Sequence, residues 1–244
     1  MKRTLPFFYL TVLLGSSGFA QEYDFFKNAD AFFKAYVIEG KVNYQSISDN
    51  SEHLTELIQF IENADISSKA PSYQLAFLLN TYNLLVIKGV LNNYPMKSPL
   101  DKPGFFKMDQ YRVMGKYITL DQLEFDEIFK RFPDPRIHFM LNCAATSCPT
   151  LYSQVIAPED LSGQLEYSTI MVIDREDYIH VDHSIKEVRV SKIFEWYRDI
   201  FDKQGGVIEF INKYRFSSVP EDYTVTFMEY DWSLNEFESG LASQ

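Results

Sequence analysis

Apolar residues recur along this chain at the spacing of helices that bury one face or are buried on every side. The longest such stretch, residues 72–94, is apolar nearly all round and ends at Asn92, Asn93 and Pro95, which predicts a central buried helix. Shorter amphipathic stretches predict further helices over residues 24–37, 49–61, 119–132, 157–173, 192–201 and 207–214.

Other stretches show the alternation or the short apolar runs that are typical of strands. They are residues 110–118, with a hairpin turn at Gly115, residues 178–181 paired with 188–190, and residues 224–230. The run 137–141 lies between Pro133-Asp134-Pro135 and a group of small or polar residues, which predicts a buried strand entering a turn. We therefore expect a helix-rich α+β fold, with a small and mainly antiparallel sheet that includes residues 137–141 and packs on the 72–94 helix.

One domain is expected from the length of 244 residues and the hydrophobic content of 46%. Residues 21–70 are expected to form an N-terminal helical segment packed on a core domain of residues 71–244. A papain-like or transglutaminase-like arrangement is the finer expectation for that core.

The first 20 residues have the layout of a secretory signal peptide. Lys2 and Arg3 precede an apolar run from Leu5 to Leu14, and small residues lead to a cleavage site after Ala20. We expect an exported protein, periplasmic or secreted, without stable membrane insertion after cleavage. An uncleaved membrane anchor is the alternative, which the shortness of the apolar run disfavours.

The charge of the chain argues against two classes of partner. The whole sequence has a formal net charge of -11, and removal of Lys2 and Arg3 leaves 21 basic residues against 34 acidic ones, a net charge of -13. Such a surface repels nucleic acid and anionic membranes, so neither is an expected partner. The acidic residues are dispersed, which is typical of an ordinary solvated surface.

Candidate chemistry is concentrated in residues 136–151, which contain both cysteines and one of the four histidines. On a strand, His138 and Asn142 share one face while Cys143 lies on the other, and the turn at residues 144–147 returns Cys148 toward the histidine. Cys148 is therefore the better thiol, with Cys143 as the alternative. Because Pro149 suits a first helical position, Cys148 is also expected at a helix N-terminus.

The catalytic hypothesis is a thiol nucleophile. Cys148 would attack, His138 would act as its base, and the carboxylate of Glu124 would orient the imidazole. Asn142, or the amides of residues 144–148, would stabilise an oxyanion. The reaction would be acyl transfer by a peptidase, amidase or transglutaminase-like enzyme that acts on peptide or cell-envelope material, without a metal or another cofactor.

Two alternatives use the same cysteines differently. In an oxidising compartment Cys143 and Cys148 would form a disulfide, and the protein would be a noncatalytic binding or structural module, with residues 231–235 available to line a ligand groove. Metal binding by both cysteines and His138 is the other alternative, but the spacing matches no common zinc site and provides no fourth ligand.

Two amides interrupt the apolar 72–94 helix about one turn apart. Asn80 and Asn83 should hydrogen-bond to neighbouring backbone or to a site, because a buried amide without partners costs about 1–3 kcal/mol. Structural anchoring is the favoured interpretation. The residues expected to support the candidate site are Asn80, Asn83, Arg136 and Asn142.

Several separated motifs resemble one family, the domain of unknown function 547. They are residues 76–87, residues 105–107, residues 118–124, the His-x4-Cys-x4-Cys motif with its neighbours at 135–149, and residues 230–235. The resemblance extends over nearly all of the chain after residue 20, and it implies no established activity.

This chain departs from the family pattern at two positions. Phe125 follows Glu124 where the family has His, so no histidine role is placed there. Ala144 follows the first cysteine where the family has Gly, so the turn is expected to avoid a conformation that only glycine tolerates.

Overall fold

The computed structural model describes residues 24–238, so the predicted signal peptide at residues 1–20 lies outside the described residues. The α-helices are α1 (Phe25–Tyr36), α2 (Tyr44–Asp49), α3 (Glu52–Asn63), α4 (Pro71–Leu91), α5 (Leu120–Gln122), α6 (Leu161–Ile173), α7 (Ile193–Trp196), α8 (Arg198–Asp202) and α9 (Val207–Tyr214). A π-helical segment, Leu123–Phe129, continues α5, and 3₁₀ helices lie at Pro99–Asp101 and Pro135–Phe139.

The strands form three small sheets within the described residues. They are β1 (Val37–Ile38), β2 (Lys41–Val42), β3 (Gln110–Val113), β4 (Lys116–Thr119), β5 (Ile179–Asp182), β6 (Glu187–Val190) and β7 (Thr224–Phe227). β1 pairs with β2 and β3 with β4, both antiparallel, while β6 lies between antiparallel β5 and parallel β7. The α+β class is therefore confirmed, as are the predicted 110–118 hairpin and the pairing of the 178–181 and 188–190 stretches.

The predicted strand at residues 137–141 is wrong. Asp134 caps a 3₁₀ helix by accepting a hydrogen bond from the backbone N–H of Arg136 at 2.9 Å, and Pro135 occupies the first turn, where its fixed φ favours a helical start. These local signals outweigh the strand propensity of the apolar run. His138 is consequently not part of any sheet, and the strand argument that separated its face from that of Cys143 does not apply.

The predicted central helix is α4, and it is buried nearly all round. Its side chains share one hydrophobic cluster with α1, α2 and α3. By length and hydropathy α4 would also qualify as a membrane-spanning helix, yet 83% of the qualifying window is buried inside the protein, as in a core helix.

Asn80 and Asn83 attach this helix to the chain on either side of the cysteines, which confirms their predicted bonding to backbone. Asn80 donates to the carbonyl of Ile156 at 2.8 Å and accepts from its N–H at 3.1 Å. Asn83 donates to the carbonyl of Met140 at 2.9 Å and accepts from the N–H of Asn142 at 2.9 Å. Residues 140–142 and 156 are thus held by a single helix.

A second cluster, formed around α6 to α9 and the β5–β7 sheet, meets the first at the 3₁₀ helix Pro135–Phe139. Ile137 and Met140 belong to the α4 cluster, whereas Phe139 belongs to the second one. His138 therefore lies where the two clusters join.

We expect Asn80→Ala to lower the free energy of unfolding by about 3 kcal/mol, because both backbone groups of Ile156 lose their buried partner. Urea denaturation followed by circular dichroism measures the change. Asn92→Ala, at the exposed end of the same helix, is the control and should change stability by less than about 0.5 kcal/mol. An Asn80→Ala variant as stable as this control would show that the amide does not anchor residue 156.

Candidate functional site

A cleft of about 300 Å³ opens beside the cysteines, between the end of α7 and the C-terminal segment. Its aromatic lining consists of Tyr82, Phe106, Phe125, Trp196, Tyr197, Tyr230 and Trp232. The other lining residues are Lys107, Asp121, Glu124, His138, Leu141, Cys143, Cys148, Pro149 and Ile193. The three residues of the catalytic hypothesis therefore share one cavity.

Cys143 and Cys148 form a disulfide, with their Cα atoms 6.1 Å apart. Cys148 is buried, whereas Cys143 is partly exposed. The Sγ atom of Cys148 accepts hydrogen bonds from the backbone N–H of Cys143 at 2.8 Å and from the Tyr230 hydroxyl at 3.2 Å. Tyr230 also lies 3.2 Å from the Cys143 Sγ. The bridge that was the alternative expectation is present, and it places both sulfurs in the cleft.

Asn142 builds the turn between the cysteines. Its Oδ1 accepts from the N–H of Ala144 and from the amide of Asn235, both at 2.9 Å, and its Nδ2 donates to the carbonyl of Pro149 at 2.8 Å. Its oxygen and one of its two N–H groups are therefore engaged in hydrogen bonds, and a role for Asn142 in stabilising an oxyanion stays a prediction.

Four of the five predicted backbone donors of the turn, those of residues 144 and 146–148, are engaged in hydrogen bonds, and Ala144 donates to Asn142. The N–H groups of Thr146 and Ser147 donate to the carbonyls of Ser233 and Asp231, and that of Cys148 donates to Ala145. No helix begins at Pro149, whose carbonyl is engaged by Asn142, and the next helix is α6. The expected helix N-terminus at Cys148 is therefore also wrong.

Ala144 adopts a φ of +61°, in the left-handed region that favours glycine. The expectation that this alanine would avoid such a conformation is wrong. The hydrogen bond from its N–H to Asn142 and the one from Asn235 to its carbonyl hold the strained conformation in place.

His138 is packed between aromatic rings. Its ring centroid lies 4.0 Å from that of Phe129 and 3.6 Å from that of Tyr197. Its Nε2 is buried and has no hydrogen-bond partner. Burial holds the pKa of His138 well below its ordinary value, so the imidazole is neutral at neutral pH.

Glu124 is buried in the π-helical segment and accepts a hydrogen bond from the Tyr197 hydroxyl. Burial raises the pKa of Glu124 to about 7, against the opposing effect of hydrogen bonds from Tyr197 and Tyr82. The expected contact with His138 is replaced by these tyrosine hydroxyls, so the carboxyl does not orient the imidazole by a direct bond. π-helical segments are rare, and they occur often at functional sites.

The remaining expected supporting residues lie outside the cleft lining. Arg136 pairs with Asp134 at 2.7 Å and with Glu166 at 3.1 Å, which ties the 3₁₀ helix to α6. Asn80 and Asn83 are the anchors described above.

Among residues 24–238, no group of three or more His, Cys, Asp or Glu side chains could hold a metal ion, and the disulfide removes both thiolates of the proposed metal site.

The cleft contains tyrosines that sequence reasoning missed. Tyr82, Tyr197 and Tyr230 contact the candidate groups, but nothing in the sequence separates them from the other members of a set of 16 tyrosines. Trp232 lies in the 231–235 stretch that was expected to line a groove under the binding-module alternative, and it does line the cleft.

Comparison with known families gives one match. The sequence model of a family described as "Protein of unknown function, DUF547" matches residues 66–171. This range contains α4, Glu124, His138 and both cysteines, whereas Trp196, Tyr197, Tyr230 and Trp232 lie beyond it. No curated protein and no solved structure matches the chain significantly.

We expect Glu124 to make stability depend on pH. Its pKa is raised in the folded state, so the stabilisation from its proton is complete below the ordinary pKa of about 4.5 and is lost as the pH rises through about 7. Between pH 5 and pH 8 the free energy of unfolding should fall by roughly 2–3 kcal/mol more in the wild type than in Glu124→Gln. Chemical denaturation at both pH values measures this difference.

The control is Asp126→Asn, at an exposed site on the same segment, whose stability should depend on pH as that of the wild type does. A Glu124→Gln variant with the same pH dependence as the wild type would contradict the assignment.

We expect Ala144→Gly to be about 1 kcal/mol more stable than Ala145→Gly. Both alanines are buried and both changes remove one methyl group, but only the first relieves a left-handed conformation. Thermal or urea unfolding of the two variants provides the comparison. Equal stabilities would mean that Ala144 carries no backbone strain.

Proposed function

We propose that this chain, whose residues 66–171 match the DUF547 family model, is a thiol-dependent acyl-transfer enzyme with Cys148 as its nucleophile. The observation that carries the proposal is the pair of hydrogen-bond donors directed at one sulfur: the backbone N–H of Cys143 at 2.8 Å and the Tyr230 hydroxyl at 3.2 Å. Donors of this kind stabilise a thiolate relative to a thiol, and the thiolate is the attacking species.

The disulfide is the resting form in this proposal. An external thiolate that attacks the Cys143 sulfur, the less buried of the two, forms a mixed disulfide there and releases Cys148 as a thiolate. A second external thiol then frees Cys143 and leaves as the oxidised dimer of the reductant. The two donors at the Cys148 sulfur favour its departure as the leaving group.

Glu124 is the acid and base of the reaction. With a pKa of about 7, both its protonated and its ionised forms are populated at neutral pH. The imidazole of His138 has its pKa lowered and is a weak base, so its part is to line the cleft and to offer the unpartnered Nε2 to a ligand. This assignment moves the role of base from His138, where the sequence suggested it, to Glu124.

The reaction then has two balanced steps. The Cys148 thiolate adds to a carbonyl carbon, and the bond to the leaving amine or alcohol breaks as the leaving group takes the proton of Glu124, which leaves a thioester. Water next adds to the thioester while the Glu124 carboxylate takes its proton, and the Cys148 thiolate departs. The Tyr230 hydroxyl, next to the nucleophile, is the side-chain donor placed to stabilise the oxyanion.

The substrate class in this proposal is peptide or cell-envelope material, and the place of action is outside the cytoplasm. Support for an exported enzyme comes from the signal-like residues 1–20 and from the disulfide, which oxidising compartments favour. A papain-like or transglutaminase-like core is the matching finer fold, because those enzymes also use a cysteine nucleophile.

The second candidate is a noncatalytic binding module in which the disulfide is permanent. The observation that favours it is the bridge itself, which leaves no free cysteine among residues 24–238. In that case each thiol released by reduction would react no faster than an ordinary cysteine thiol.

Acetyl transfer from 4-nitrophenyl acetate separates the two candidates. Cys143→Ser should release nitrophenol in a burst without reductant and carry an acetyl group on Cys148, located by peptide mass spectrometry. Wild type should do so only after reduction, and Glu124→Gln in the Cys143→Ser background should acetylate but turn over at least about tenfold more slowly.

Cys148→Ser, which keeps Cys143 as a free thiol, is the matched control and should show no burst. Acetylation of Cys143 in that control at the rate seen for Cys148 would remove Cys148 from its assigned role. Absence of acetyl-cysteine in every variant would favour the binding module.

A further inference from the structure

Three aromatic rings form a continuous surface at one side of the cleft. Trp196, Tyr230 and Trp232, here called the aromatic platform, have ring centroids 4.8 Å apart for Trp196 and Tyr230, 4.8 Å for Tyr230 and Trp232, and 5.7 Å for the two tryptophans. Trp196 is 47% exposed, which is unusual for so large an apolar side chain and leaves part of its ring free to be covered by a ligand.

Two carboxyl-bearing residues, Asp121 and Glu124, line the same cavity as the platform. The backbone N–H of Asp121 donates to the carbonyl of Phe106, whose ring centroid lies 6.3 Å from that of Trp232. Glu124 accepts a hydrogen bond from Tyr197, the residue next to Trp196. The two residues are three positions apart, on α5 and the π-helical segment that continues it, and the ring surface shares its cleft with both.

One positive group lines the same cavity. The Nζ atom of Lys107 lies 4.0 Å from the Asp121 carboxylate, but its side chain is 79% exposed, so solvent screens this pair strongly. The charge of Asp121 together with the ionised fraction of Glu124 exceeds that of Lys107, and the whole chain carries a net charge of -11. A cationic ligand would be attracted both by the local groups and by the charge of the chain.

One residue of the cavity lining, His138, also carries an unsatisfied polar atom. The Nε2 of His138 is buried and has no hydrogen-bond partner, and such an atom is costly unless a bound group satisfies it. This observation is independent of the rings and of the carboxyl groups, and it indicates that the cleft is a binding site.

We infer that the aromatic platform, with Asp121 and Glu124, is the subsite for a basic side chain of a peptide substrate, lysine or arginine. Such a side chain lays its aliphatic stem along the rings and its charge over a ring face, where the ring quadrupole attracts it. A neutral side chain would gain only the apolar contact, and an acidic one would be repelled by the Asp121 carboxylate. The inference rests on the proposed function in one respect, namely that the substrate is a peptide.

Binding of short peptides to the full chain with its disulfide intact tests this subsite without any catalytic step. The probes are N-acetyl-Gly-Lys-Gly-amide and the same peptide with norleucine, which keeps the aliphatic stem and lacks the charge. Isothermal titration calorimetry should show about tenfold tighter binding of the lysine peptide, with a preference that weakens as salt is raised.

Variants assign that preference to the platform. Trp196→Leu and Asp121→Asn should each bring the ratio of affinities close to one, whereas Trp196→Phe should keep most of it because a ring remains. Tyr117→Leu and Asp126→Asn, exposed positions outside the cleft, are the matched controls and should leave the ratio unchanged.

Equal affinity for the two peptides would overturn the inference, as would binding of N-acetylglucosamine in place of either peptide, since the platform would then be a sugar subsite. Failure here is distinguishable from failure of the proposed function. 4-Nitrophenyl acetate carries no basic group, so acetyl transfer to Cys148 is expected whether or not the platform prefers lysine.

Discussion

Buried amide side chains hold the cysteine segment in place, and every other property of the cleft depends on that arrangement. Asn83 of α4 accepts from the backbone of Asn142, the Oδ1 of Asn142 accepts from the side chain of Asn235, and Asn235 accepts from the Tyr44 hydroxyl at 2.8 Å. This series of bonds joins the central helix, the cysteine turn, the C-terminal segment and α2. Residues 140–149 contain no regular secondary structure apart from an isolated bridge at Ala145. Hydrogen bonds of the asparagine side chains therefore hold this segment in place, as backbone hydrogen bonds would in a sheet or helix. They fix the turn closely enough to maintain a left-handed alanine and to direct two donors at one sulfur.

Burial shifts the pKa values of Glu124 and His138 in opposite directions, and this underlies the roles that we propose for the two groups. Removal from water disfavours the charged form of each, so the pKa of Glu124 rises and that of His138 falls. At neutral pH the imidazole is therefore neutral, while the carboxyl group is partly protonated. The tyrosine hydroxyls at Glu124 limit the shift, because they stabilise the carboxylate and keep its pKa near 7. The sequence suggested His138 as the base and Glu124 as the group that orients it. The buried environment does not favour this division of roles.

The parts of the fold that sequence patterns predicted are those set by local periodicity. α4, the β3–β4 hairpin and the β5–β6 pair follow directly from apolar spacing and a glycine turn. Residues 137–141 show the limit of this reasoning, because a capping aspartate and a proline outweighed an apolar run of five residues. The candidate site was predictable to the extent that its three chemical residues share the cleft. Its bonds were not predictable, since Tyr197 reaches Glu124 across 73 positions of sequence, and Tyr230 reaches Cys148 across 82.

The two halves of the cleft come from different parts of the chain. The segment that matches the family contributes the sulfurs, His138 and Glu124, whereas Trp196, Tyr230 and Trp232 come from residues beyond it. Tyr230 connects the halves, because its hydroxyl contacts both sulfurs while its ring packs against both tryptophans. A side chain bound on the platform would therefore rest against the same tyrosine that donates to the Cys148 sulfur. If the rings select the substrate and Cys148 attacks it, as we propose, the contact through Tyr230 couples selection to the position of the reacting sulfur.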